Sequence, residues 1–203
     1  MRLTHIKGEY DAIFSLGSKC LAAIQLESNE LRPCSGVLDW MISKSLTHVN
    51  VLLANRFAAF MEPTNMGFVN YENQNIYLFD HLYQIMLVHD LAIDDQGTHR
   101  VELFPEFKEK INRRIQRFLD CVDSGKRILF VRLGGTYEEA VQLQLTLSQL
   151  VKGPFTVLLI NDYPFETLVE NDWPLERVCA VQMPLELRCD ALWTAMLSGI
   201  RLA

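Results

Sequence analysis

A chain of 203 residues can bury its own core without disulfide or metal staples, and an apolar fraction of 49% places it in the globular class. A net charge of −6, with the acidic residues scattered, argues against nucleic acid or an anionic membrane surface as the main partner, since both demand a basic face. No apolar run approaches the roughly 20 residues of a membrane span, and Met1 to Tyr10 has no apolar leader segment.

In chain order, Tyr10 to Leu16 reads as a short buried strand ended by Gly17 and Ser18, and Lys19 to Leu26 as a helix with Ser18 as its N-cap. Leu31 to Trp40 is a loop with Pro33 and Gly36. Leu46, Val49, Leu53, Phe57 and Phe60 recur at helical spacing. Glu62 to Asn75 reads as a loop or short hairpin, Tyr83 to Val88 as a strand closed by His89 and Asp90, and residues 91 to 105 as irregular.

Phe107, Ile111, Ile115, Phe118 and Val122 mark one face of a helix; Lys108, Lys110, Arg113, Arg114 and Arg117 form a basic face expected to be solvated. Arg127 to Leu133 is a strand. Thr136 and Glu139 form a capping box for a helix running to about Val151, which Gly153 and Pro154 stop. Phe155 to Ile160 is a strand ended by Asn161 and Asp162; Arg177 to Gln182 is a further strand and Ala191 to Leu197 a short helix. Alternating helices and near-continuous apolar strands predict one α/β domain over residues 1–203, a three-layer sandwich with a mostly parallel, doubly wound sheet.

The five cysteines (Cys20, Cys34, Cys121, Cys179, Cys189) are odd in number and contain no Cys-x-x-Cys pair. The expectation is reduced thiols in a cytoplasmic protein, with no metal and no other cofactor. Cys121 and Cys179 lie in apolar segments and read as buried structural thiols.

Open α/β sheets bind ligands beyond the carboxyl ends of their strands. That rim would gather Ser18 and Cys20, His89 and Asp90, Gly134 to Thr136, and Asn161 and Asp162. Cys20 in the first turn of a helix would have its thiolate favoured by free N–H groups, and a nearby imidazole could carry its proton. Asp90 could orient that imidazole, but neighbouring strand residues face opposite ways, so Asp39 or Asp162 are alternatives. His5, His48, His81 and His99 have no supporting pattern.

The run Ile13 to Cys20, then Ala23, Leu26, Leu31-Arg32, Ser35 and Asp39-Trp40, resembles the opening of a family of unknown function described as putative papain-like cysteine peptidases. The family's later His-Asp pair matches His89-Asp90, and two further segments match Arg113 to Phe118 and Ile128 to Arg132. Val37-Leu38 stand where the family has Pro-Phe. The resemblance implies Cys20 as nucleophile and His89 as base. A papain-like label would imply an antiparallel sheet carrying the His, at odds with the doubly wound pattern from Arg127 to Ile160.

Three readings follow. The first is a cysteine peptidase, amidase or acyl transferase acting on a peptide, acyl or glycan substrate, with backbone N–H groups near Ser18 to Cys20 holding the oxyanion. The second is a serine esterase similar to the SGNH hydrolases, with Ser18 attacking. The third is a non-catalytic module that binds a glycan, a nucleotide or a protein through Asp39, Trp40, Asn161 and Asp162.

Overall fold

The computed structural model describes residues 1–72, 74–91, 104–186 and 189–203. Among these residues the helices are α1 (Leu21–Ser28), α2 (Leu46–Ala54), α3 (Phe104–Asp123), α4 (Tyr137–Leu150) and α5 (Asp190–Leu197). The strands are β1 (Gly8–Tyr10), β2 (Ala12–Ser15), β3 (Met41–Ile42), β4 (Met66–Glu72), β5 (Asn75–Asp80), β6 (Ile85–Leu87), β7 (Ile128–Leu133), β8 (Phe155–Asp162), β9 (Val169–Asn171), β10 (Val178–Met183) and β11 (Ile200–Leu202).

The main sheet runs β2-β7-β8-β10-β9, with its first four strands parallel and β9 antiparallel at the edge. This is the expected mixed α/β fold with a mostly parallel sheet. The parallel strands follow one another across the sheet in chain order. Every residue of β7 is buried, as expected for a strand covered on both faces. Alternation divides its side chains between two cores. Ile128 and Phe130 pack with α2, α3 and α4, whereas Leu129, Val131 and Leu133 pack with α1 and α5.

The capping box forms as the spacing predicts: Thr136 Oγ1 accepts from Glu139 N at 3.2 Å and Glu139 Oε2 from Thr136 N at 3.0 Å. The other carboxylate oxygen, Oε1, accepts from Thr47 N at 2.9 Å, so one side chain caps α4 and α2 together.

Three expectations change. The first helix starts at Leu21, with Cys20 at the N-cap position and no side-chain cap; Ser18 is not the cap. The second helix stops at Ala54, because Arg56, Phe57, Ala59 and Met61 take left-handed backbone angles, yet Phe57 and Phe60 still reach the core. The strand before His89 does not join the parallel sheet: β6 lies in a separate antiparallel sheet, ordered β3-β6-β5-β4, that packs over the α2 and α3 side. The segment left open as loop or hairpin is the β4–β5 hairpin of that sheet. The irregular stretch expected at 91–105 falls mostly outside the described residues.

Candidate active site

The chain leaves β2 through a tight turn. Gly17 has φ +77°, and a Cβ there would stand 2.9 Å from Ser43 Oγ and 3.2 Å from the Leu38 carbonyl oxygen, so only glycine fits. Ser18 follows at φ +86°, a strained angle for an L-residue with a side chain. Its N–H donates to Ser43 Oγ at 3.0 Å and its carbonyl accepts from Ser43 N at 3.2 Å. The turn delivers Cys20, half-buried, to the start of α1.

Cys20 opens on a cleft of about 600 Å³ lined by Ile24, Ser35, Trp40, His89, Asp90, Lys110 and Arg114. The His89 ring meets Trp40 edge-on, with centroids 6.2 Å apart. Trp40 is itself covered by the Arg32 guanidinium 5.2 Å from its ring centre. Among the described residues no hydrogen bond joins the Cys20 thiol to His89.

Asp90 is committed elsewhere. Arg114 donates to it through both guanidinium nitrogens, at 2.7 and 3.2 Å, and Lys110 forms a further ion pair. Burial pushes the Asp90 carboxyl upward, but these bonds outweigh it and hold it below the usual carboxylate range. The basic face of α3 is therefore not simply solvated: Arg114 is buried, Lys108 pairs with Glu62, and Arg117 donates to the Ser35 carbonyl at 2.7 Å.

Asp39 lies behind the cleft, 1% exposed. Its Oδ2 accepts from Gly36 N at 2.7 Å and from Arg32 at 3.2 Å, which ties the loop carrying Trp40, while Oδ1 has no partner among the described residues. Burial pushes its carboxyl upward against the help of Gly36 N–H and Arg32. Burial also pushes the Cys20 thiol up; its own backbone N–H opposes this, and the negative charges of Asp39 and Asp90 add to the rise. Burial and the two carboxylates thus disfavour the Cys20 thiolate.

The remaining rim residues go elsewhere. Asn161 exchanges hydrogen bonds with the Gly135 backbone, both at 3.0 Å, and holds the β7–α4 turn. Asp162 accepts from Leu185 N at 3.1 Å and lines a separate cavity of about 150 Å³ with Glu166 and Glu186. The fold thus brings Cys20, Trp40, His89 and Asp90 into one cleft, with Ser18 and Asp39 supporting its wall. Cys179 is buried, and its thiol is pushed up to about 12, chiefly by burial. Cys121 is half-buried and likewise raised.

Sequence reading missed Arg132. It is fully buried on β7 with no carboxylate partner among the described residues, and burial lowers its pKa to about 10. The signal was present as a charged residue inside an otherwise apolar strand interior.

These features define an α/β protein in which the first strand of the main sheet delivers a thiol to a helix start, in one cleft with an imidazole. The chain belongs to the family described as "putative papain-like cysteine peptidase", whose profile matches residues 11–163. It is also 28% identical over 138 residues to an uncharacterized protein of Acanthamoeba polyphaga mimivirus. That match covers 60% of this chain and 61% of the viral protein, so the chain spans less than two thirds of that relative. No solved structure matches. Among the described residues no helix is long and apolar enough to cross a membrane.

Proposed function

We propose that the chain is a cysteine-dependent hydrolase or acyl transferase, acting on a peptide, amide or ester carbonyl with Cys20 as nucleophile and His89 as base. The observation that carries this reading is the shared cleft: a half-buried thiol at an uncapped helix start and an imidazole line the same open cavity. Membership of a family described as cysteine peptidases supports it.

The chemistry follows from the charge environment. These surroundings disfavour the free thiolate, so the proton leaves as attack occurs. Sγ bonds to the carbonyl carbon, the thiol proton passes to His89, and the carbonyl oxygen takes up the negative charge. The Ser18 N–H is already bound to Ser43 Oγ and the Cys20 N–H supports its own sulfur, which leaves the N–H groups of Lys19 and Leu21 at the helix start as oxyanion donors. Collapse breaks the bond to the leaving group, which takes the proton from His89. Water then attacks the thioester and its proton passes to His89; the bond from carbon to Sγ breaks, the carboxylic acid leaves, and Sγ takes the proton back from His89.

The test is a pre-steady-state assay with p-nitrophenyl acetate, read by mass spectrometry at the Cys20 peptide. The expected result is a burst with an acetyl group on Cys20, abolished in Cys20→Ala and slowed about 10²- to 10⁴-fold in His89→Ala. Acetylation spread over other nucleophiles, or a rate indifferent to His89, would overturn the assignment.

A further inference from the structure

We infer that Arg132 is a positioning residue for Cys20, acting through the Ser43 hydroxyl on the strained Gly17-Ser18 turn. The inference rests on the reading of Cys20 as the nucleophile and adds the device that aims it.

Arg132 stands on β7, the strand paired with β2, and its side chain is wholly buried. A guanidinium without a carboxylate is costly to bury, and it persists only where carbonyls replace its water. Here the acceptors belong to the pieces of chain that frame the thiol. Nη1 donates to the Leu16 carbonyl and to Ser43 Oγ, both at 2.8 Å; Nη2 donates to the Ser43 carbonyl at 2.6 Å; Nε donates to the Gly134 carbonyl at 3.2 Å. One side chain thereby clamps the end of β2, the end of β7 and the residue after β3.

Ser43 passes the restraint on. Its Oγ takes one hydrogen bond from Arg132 and one from Ser18 N–H, and its N–H returns a bond to the Ser18 carbonyl. Ser18 is thus held by both its backbone groups in a conformation that an L-residue avoids. Two residues later comes Cys20, whose thiolate is helped by its own backbone N–H and opposed by burial. Keeping the turn strained keeps that N–H aligned with the sulfur. An unrestrained Ser18 would relax toward negative φ and swing the start of α1.

The test reads the thiol without any acyl substrate. Iodoacetamide alkylation of the Cys20 peptide is followed against pH in wild type, Ser43→Ala and Arg132→Lys, with circular dichroism confirming the fold. Ser43→Ala removes one oxygen and should fold; Arg132→Lys keeps a charge but cannot span the four acceptors. The expected result is a higher apparent Cys20 pKa in both variants, with alkylation at pH 8 slowed about three-fold or more. An unchanged profile in folded Ser43→Ala overturns the proposal. So does a lower pKa with faster alkylation, the signature of a loosened turn that merely exposes sulfur. If Arg132→Lys does not fold, Ser43→Ala alone decides. A protein that shows the Ser43 effect but never forms an acetyl-Cys20 burst keeps this positioning role and loses the hydrolase reading; the reverse pattern loses only the positioning role.

Discussion

Two strand-to-helix turns sit side by side on this sheet and are built in opposite ways. After β7 the chain enters α4 through a sealed start: Thr136 and Glu139 cap one another, and the Asn161 amide holds Gly135. After β2 it enters α1 through an open one, with Gly17 and Ser18 at positive φ, no side-chain cap, and a cysteine at the N-cap position. A sealed start spends N–H groups on its own side chains and has fewer to offer a ligand. An open start leaves them free, and here a thiol and a cleft stand in front of them. The difference teaches that the unsealed turn is the one to examine for chemistry, although both lie at the carboxyl ends of adjacent parallel strands.

The largest expected effect comes from altering the charges around the open turn. Asp90→Asn removes the partner of Arg114, whose side chain is only 7% exposed, and should cost about 3 kcal/mol in urea denaturation at neutral pH. The pH dependence has a definite sign. The folded-state pKa of Asp90 is depressed, so its contribution is fully present above the unfolded carboxylate value of about 4 and is lost as pH falls through the folded value. The gap between wild type and Asp90→Asn should therefore narrow toward pH 2. A gap of equal size at pH 7 and pH 2 would show that lost packing, not charge, sets the cost. The same variant removes one of the two negative charges that raise Cys20 and leaves Lys110 and Arg114 unbalanced. Its thiol should titrate lower and alkylate faster at pH 8.

Unsealing the other turn is the control. Thr136→Ala removes the acceptor for Glu139 N–H and should lower stability by about 1 kcal/mol. The Cys20 alkylation profile should not move. A shift there would mean that the two turns are coupled through β7, and the contrast between them would fail.

What could be read from the residues alone follows the same division. The run from Arg127 to Ile160 was legible because continuous apolar strands are punctuated by a capping box and a Gly-Pro stop. The end of α2 was not, since the left-handed residues that break it are Arg56, Phe57, Ala59 and Met61, and none carries a glycine's signal. Nor was the sheet that β6 joins, because pairing with β3 and β5 is a long-range choice that a three-residue strand does not declare. At the site, Cys20, Trp40, His89 and Asp90 were named and do share a cleft, though His89 arrives from the antiparallel sheet rather than the parallel rim. The pairing of Asp90 with α3 was hidden because a basic helical face looks the same whether it is solvated or docked.

The smallest effect separates the thiol from its neighbouring hydroxyl. Ser18→Gly places at φ +86° the one residue that tolerates it, relieving strain of about 1 kcal/mol, part of which is offset by the greater freedom of glycine in the unfolded chain. The net change should be a stabilisation of a few tenths of a kcal/mol by thermal melting. Both backbone bonds to Ser43 survive, because neither uses the Ser18 side chain. Acetylation of Cys20 in Ser18→Gly should stay within about two-fold of wild type, since the N–H groups at the start of α1 keep their places. The serine-esterase reading requires the opposite: Ser18→Gly would abolish ester turnover and fluorophosphonate labelling, and Cys20→Ala would spare both. The two variants together assign the nucleophile, and the glycine variant does so without disturbing the turn that aims it.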